Sequence, residues 1–204
     1  LQRCAAWKER YPVVQERHRK ASGKVNLYAF LGAMSRNLPR NAVTIAANAS
    51  ASVAGSQAFY IKDGDRFLIN GAMGSMGYAL PASIGACLAN GKRRVFCIDG
   101  DGSIMMNVQE LQTIATNRLP IVLFVLNNEG YHQIRQTQSN VFAGHTFVGV
   151  GPASGDLGFP DFGALAAAFW LPYARIETND RLEEAVIETL AADGPILCEV
   201  IVST

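Results

Sequence analysis

Three nearly continuous apolar runs stand out along the chain, at residues 94–98, 121–126 and 196–202. Runs of this length without alternation read as strands buried on both faces, as in a parallel sheet covered by helices. Residues 42–47 and 173–176 add two shorter strands. Between them the apolar spacing turns helical. Leu27, Phe30, Leu31 and Met34 share one helix face that ends near Asn37-Leu38-Pro39. Further helices are expected at residues 78–90, 107–117, 162–171 and 181–192, and residues 131–138 form a polar, helix-compatible stretch. Pro81 is tolerated in the first turn of its helix, and Gly91 is placed to stop it. Strands alternating with helices predict an α/β fold: a doubly wound, mainly parallel sheet of five to six strands with helices on both faces.

The remaining segments break these patterns. Residues 1–22 are polar, carry the charge run Glu16-Arg17-His18-Arg19-Lys20, and are interrupted by Tyr11-Pro12. They read as an interdomain linker or leader, followed by one domain over residues 23–204. Residues 144–160 form a Gly- and Pro-rich loop, long enough for function or mobility. A chain of 204 residues, 49% apolar and 17% charged, suits a single domain with a sizeable core. A net charge of +1 supplies no basic field for nucleic acid, and nothing approaches a membrane span of ~20 apolar residues. No secretory signal is visible. Cys4, Cys87, Cys97 and Cys198 lack metal-type spacing, and two of them fall inside strand runs, as expected of reduced thiols in a cytoplasmic protein.

Candidate chemistry gathers where two strands end. Asp101 follows the run ending at Ile98, in Gly100-Asp101-Gly102-Ser103, and Asn128 follows the run ending at Leu126, in Asn127-Asn128-Glu129-Gly130-Tyr131. A strand–turn–helix–strand–turn unit delivers this carboxylate and carboxamide to the same carboxyl edge, where open α/β sheets bind ligands. Mg²⁺ takes such oxygen ligands together with substrate phosphates and water. Gly102 permits close backbone approach, and a following helix N-terminus offers free amides to an anion. A metal–phosphate site follows. Upstream, three glycines in residues 71–77 imply tight turns or close approach to a ligand.

These residues also carry a resemblance. Gly100-Asp101-Gly102-Ser103 with Asn127-Asn128, and Gly74-Ser75-Met76-Gly77-Tyr78-Ala79-Leu80-Pro81, resemble the thiamine-diphosphate-binding domain of the acetolactate synthase and pyruvate decarboxylase superfamily. The resemblance covers residues 23–204. It implies thiamine diphosphate and Mg²⁺ as cofactors, with Asp101, Asn128 and the Gly130 carbonyl as metal ligands. Gly100, Gly102 and Ser103 would hold the diphosphate, with Tyr131 and His132 beside it, and Asn127 would buttress the turn. Met76 would bend the cofactor into a V shape, and the Gly74 carbonyl would accept a hydrogen bond from its amino group. The resemblance further implies a 2-keto acid substrate, and a homodimer or homotetramer in which a pyrimidine-binding domain of the same or another subunit supplies the catalytic Glu. Glu110 lies on a helix leading away from the edge and reads as structural.

Within the superfamily the likeness is to acetolactate synthase-like proteins. Branched-chain biosynthetic members commonly carry a Trp that shapes the second-substrate pocket; here that segment reads Arg135-Gln136-Thr137-Gln138. Decarboxylase, carboligase and lyase reactions share the motifs. A nucleotide-binding module fits less well, because neither Gly-x-Gly-x-x-Gly after the first strand nor a Gly-Lys-Ser/Thr loop occurs. A non-catalytic assembly paralogue is the third reading; intact Asp101, Asn128 and Gly130 argue against loss of cofactor binding in it, though not against loss of turnover. His132, Gln133 and Ile134 follow the metal turn and are candidates to face substrate. Asn48, Ser50 and Ser52, after the first strand, read equally as contacts or as a plain turn. His18 and His145 read as surface or loop residues.

Overall fold

The computed structural model describes residues 1–142 and 148–203. Its six strands are β1 (Val43–Ala46), β2 (Arg66–Ile69), β3 (Val95–Gly100), β4 (Ile121–Asn127), β5 (Tyr173–Ile176) and β6 (Ile196–Ile201). They form one parallel sheet in the order β2-β1-β3-β4-β6-β5. The three long central strands are almost wholly buried along their length, whereas edge strand β2 alternates between exposed and half-buried positions. That contrast is the physical basis of the apolar pattern, since only the central strands are covered on both faces.

Helices surround the sheet: α1 (Gln2–Arg10), α2 (Glu16–Arg19), α3 (Leu27–Asn37), α4 (Ala49–Ala58), α5 (Ala79–Ala89), α6 (Asp101–Ile104), α7 (Glu110–Thr116), α8 (His132–Val141), α9 (Phe162–Ala168) and α10 (Leu182–Leu190). Asn26 caps α3 by accepting hydrogen bonds from the Tyr28 and Ala29 amides. Helix α3 presses Phe30 edge-on against Phe124 of β4, with ring centroids 5.2 Å apart. After α5, Gly91 adopts φ 68°, and the Lys92 amide reaches back to the Cys87 carbonyl, which ends the helix in a Schellman turn.

The segment before α3 is tied down only in its second half. No residue of α1 is buried. Buried Asn179 donates to the His18 and Ala21 carbonyls and accepts from the Asn26 amide, docking the chain just before the first core helix.

Two expectations change. Residues after β1 form helix α4 rather than a plain turn; its buried face is Ala51, Ala54, Gly55 and Ala58, so it carries none of the bulky periodicity that marks a core helix. The helix expected over residues 107–117 starts at Asp101 and is divided into α6, a 3₁₀ turn at Met105–Asn107, and α7. Asn107, the last residue of that 3₁₀ turn, has its side chain engaged elsewhere, as described below. His145 and the start of the 144–160 loop lie outside the described residues.

The strand order places β1 beside β3, although β2 intervenes in sequence. The chain therefore reverses its direction of progress across the sheet between these strands, and the connections leave a crevice above their carboxyl ends.

Candidate functional site

A cleft opens at that crevice. Its walls come from Asn48–Ala51 after β1, Gly100–Ser103 after β3, and Leu126, Asn128 and residues 130–134 after β4, with Met76 on the remaining side. The site residues expected from the sequence thus meet in one place, apart from Gly74, which does not line the cleft. Gly74 lies exposed in the glycine-rich loop with φ 59°, its amide bonded to the Asn70 carbonyl.

Asp101 is the centre of the arrangement. It is buried, and its Oδ1 accepts from the Gly102 amide at 2.7 Å. Its Oδ2 accepts from the amides of Asn128 at 3.1 Å and Gly130 at 2.9 Å. Burial pushes the carboxyl up to about 6, opposed by these backbone donors and by the nearby Arg135 guanidinium. Two strand ends distant in sequence are therefore stitched together through one carboxylate.

Asn128 contributes the open valence. Its side-chain Oδ1 is buried and has no hydrogen-bond partner among the described residues. An orphaned acceptor beside a buried carboxylate calls for a cation or a donor from outside the chain. Gly130 has φ 126°, and a Cβ there would collide with the Val150 carbonyl, so only glycine fits. Its carbonyl accepts from the His132 amide at 3.0 Å, and a carbonyl oxygen has a second lone pair for another partner. Among the described residues no cluster of three or more His, Cys, Asp or Glu side chains forms a metal cage. One carboxylate, one carboxamide and one carbonyl suit a hard cation that completes its shell with ligand oxygens and water.

Arg135 and Asn127 hold this turn from two sides. The Arg135 guanidinium donates to the carbonyls of Asn128 (2.8 Å) and Glu129 (2.7 Å). Asn127 accepts from the Glu129 amide at 3.0 Å and donates to buried Glu199 at 2.6 Å. Gly102 serves an unforeseen purpose here. A Cβ at this position would collide with the ring of Tyr131, which packs over the turn and meets Phe159 edge-on.

Met76 owes its position to a clamp that the sequence reading missed. The Gly77 amide donates to Ser103 Oγ at 3.0 Å, and the Gly77 carbonyl accepts from Asn107 Nδ2 at 2.7 Å. A Cβ at Gly77 would lie 2.7 Å from Met106 Cβ, so the loop sits directly on the 3₁₀ turn that follows α6. Only the glycine hinted at this close approach. Asp99, on β3 two residues before Asp101, was also missed: it is fully buried, its Oδ2 has no partner among the described residues, and burial pushes it up to about 7. Of the weaker candidates, Asn48, Ser50, His132, Gln133 and Ile134 line the cleft, whereas Ser52 bonds back to the Ala49 carbonyl. Desolvation holds His132 below the usual imidazole range. Glu110 accepts from the Thr113 hydroxyl on its own helix and is absent from the cleft.

A carboxyl-edge cleft with an oxygen-donor set, at the switch point of a doubly wound sheet, defines a cofactor-binding α/β domain of the metal–phosphate type. Comparison with known proteins narrows the class. Residues 48–200 match the family described as "Thiamine pyrophosphate enzyme, C-terminal TPP binding domain", and the chain belongs to it. The family's cofactor is thiamine diphosphate. Over 149 residues the chain is 40% identical to the chloroplastic acetolactate synthase of Arabidopsis thaliana, covering 72% of this chain and 22% of that protein. It is 31% identical over 181 residues to the acetolactate synthase isozyme 1 large subunit of Escherichia coli, covering 89% of this chain and 31% of that subunit. The chain thus spans between about a fifth and a third of the length of these relatives.

Proposed function

We propose that this chain is the cofactor-binding domain of an acetolactate synthase-like enzyme, dependent on thiamine diphosphate and Mg²⁺, that decarboxylates a 2-keto acid and joins the product to a second carbonyl compound. The observation that carries the reading is the orphaned Asn128 Oδ1 beside buried Asp101, in the cleft that Met76 also lines. The cofactor, when bound, supplies a nucleophilic carbon and an electron sink for loss of CO₂.

The protein's part is to hold and orient. Asp101, Asn128 and the Gly130 carbonyl bind Mg²⁺. Gly100, Gly102 and Ser103 would cradle the diphosphate; Ser103 Oγ already accepts from the Gly77 amide, which fixes that side chain at the turn. Tyr131 and His132 wall the same end. Met76 lines the cleft and would pack under the rings of the bound cofactor, favouring their bent form, a matter of proximity rather than affinity; the Gly74 carbonyl, outside the cleft as it stands, would receive the amino group only once its loop moved inward. Asp101 is the sole carboxylate lining the cleft among the described residues, so it leaves no second acid there for proton transfer. As the family resemblance implies, the catalytic Glu would come from a pyrimidine-binding domain of the same or another subunit, in a homodimer or homotetramer. Exposed Met73, Met76 and Met106 on the loop and the segment beneath it offer an apolar rim for such a domain. Residues 1–22 serve as an interdomain linker. Three buried free cysteines favour a reducing compartment such as the cytoplasm.

A second reading, a simple 2-keto acid decarboxylase or lyase, draws on Thr137. It is exposed on α8, and its hydroxyl donates to the Gln133 carbonyl of its own helix, so a small polar side chain stands where an aromatic wall for an acceptor would be.

The test uses the complete protein with pyruvate, thiamine diphosphate and Mg²⁺. Acetolactate formation abolished by a chelator supports the first reading, and CO₂ with free aldehyde supports the second. No Mg²⁺-dependent cofactor binding would overturn both. Residues 1–204 alone should fold and yet show no turnover; robust CO₂ release from them would place the catalytic acid inside this chain.

A further inference from the structure

We propose that Arg135 is a positioning residue for the metal turn, and that its forked hold on two successive carbonyls tunes the site to a small, strictly octahedral cation. The proposal rests on the reading of Asp101, Asn128 and Gly130 as the Mg²⁺–diphosphate site.

A trans peptide unit is planar, with its C=O and N–H pointing in opposite directions. In the unit joining Glu129 to Gly130, the carbonyl accepts from Arg135 Nη1 at 2.7 Å while the amide donates to Asp101 Oδ2 at 2.9 Å. In the unit joining Asn128 to Glu129, the carbonyl accepts from Arg135 Nη2 at 2.8 Å while the amide donates to Asn127 Oδ1 at 3.0 Å. Two consecutive planes are therefore pinned at both ends, with Arg135 holding the outer end of each. The turn needs such restraint. Glu129 has φ 60° and Gly130 φ 126°, and a non-glycine residue seldom occupies the first of these conformations. Releasing the Glu129 carbonyl would free its plane to rotate and carry the Gly130 amide off Asp101.

The consequence reaches the cation. Asn128 presents its orphaned Oδ1, and Gly130 its carbonyl, from the backbone that these planes define. Mg²⁺ requires near-ideal octahedral ligands at short distance, whereas Ca²⁺ accepts irregular shells. A loosened turn must weaken Mg²⁺ more than Ca²⁺. Lysine cannot replace the fork, since an ammonium is a point charge without the two parallel donors.

The experiment measures thiamine diphosphate binding to the complete protein by fluorescence, titrating Mg²⁺ or Ca²⁺ at saturating cofactor. Arg135→Lys and Arg135→Met should each raise the Mg²⁺ half-saturation by about ten- to a hundredfold, the range seen when groups behind a metal ligand are removed. The Ca²⁺ value should move several times less, and added ethylguanidinium should restore part of the Mg²⁺ affinity of Arg135→Ala. Melting curves report whether each variant is folded; if Arg135→Met is not, Arg135→Lys carries the comparison. Unchanged Mg²⁺ dependence in folded variants, or equal losses for both cations, would overturn the role of Arg135 alone. Wild-type protein that binds no cofactor with Mg²⁺ would overturn the site itself, and this inference with it.

Discussion

Two groups of buried acids lie at neighbouring strands and are treated in opposite ways. Glu199 on β6 is closed: Asn127 and the Tyr173 hydroxyl donate to it, and Arg175 Nε lies 3.5 Å from it. Burial and this bond hold the Tyr173 phenol above its ordinary range. At the ends of β3 and β4 the accounts stay open. Among the described residues Asp99 Oδ2 and Asn128 Oδ1 are buried without partners, and Asp101 is fed by backbone amides, with the Arg135 guanidinium a nearby favourable charge. A polar network that is complete within the chain supports the fold. One that is incomplete marks where something else must bind.

The largest effect should come from emptying the open group. Asp101→Ala removes the one anionic oxygen donor and should abolish Mg²⁺-dependent thiamine diphosphate binding in the complete protein. Isothermal titration showing wild-type affinity would erase the distinction between the two groups.

Asn128→Ala should weaken the same binding less, because a neutral dipole is lost rather than a charge. It should do so without a stability cost of matching size, since the missing oxygen has no partner among the described residues. A large fall in melting temperature with normal cofactor affinity would move Asn128 into the structural class.

Asp99 offers a pH-dependent comparison in metal-free protein. Its carboxyl, raised from 3.8 to about 7, keeps its proton in the fold after the unfolded chain has lost its own. Its stabilising contribution is complete below about pH 4, declines as pH rises, and is gone above about 7, at a slope of up to about 1.4 kcal/mol per pH unit. Asp101, raised to about 6, acts in the same direction. Asp99→Asn should therefore flatten, without abolishing, the fall in stability between pH 4 and 7. Parallel curves for variant and wild type in urea melts would show that Asp99 does not titrate in this window.

The smallest change is expected at the closed network. Tyr173→Phe deletes one hydrogen bond to buried Glu199 and should cost about 2 kcal/mol, with cofactor affinity untouched. A loss of affinity would mean that the network reaches the site through Asn127.

Much of this was legible in the chain. The central strands announced themselves because both faces are covered, and Asp101, Asn128 and Gly130 because the turns that end those strands are short contiguous motifs. Helix α4 was missed for a physical reason. It packs with Ala51, Ala54, Gly55 and Ala58 because the space is narrow, and a Cβ on Gly55 would lie 2.8 Å from Phe67. Small residues at helical spacing were the available signal. Asn107 left none, since its partner is a backbone carbonyl 30 residues away.

What the sequence determined by itself was therefore local: which runs are strands, where the turns fall, and which oxygen-bearing residues stand at the strand ends. Tertiary structure alone decided that Asp101 would join the β3 and β4 turns, that Tyr131 would lie over Gly102, that Arg135 would grip the turn from the next helix, and that Asn128 would keep one oxygen open. The reason lies in the range of the interactions. Periodicity and turn chemistry act over a few neighbouring residues, whereas satisfying or orphaning a buried polar atom depends on every segment that the fold brings within hydrogen-bonding distance.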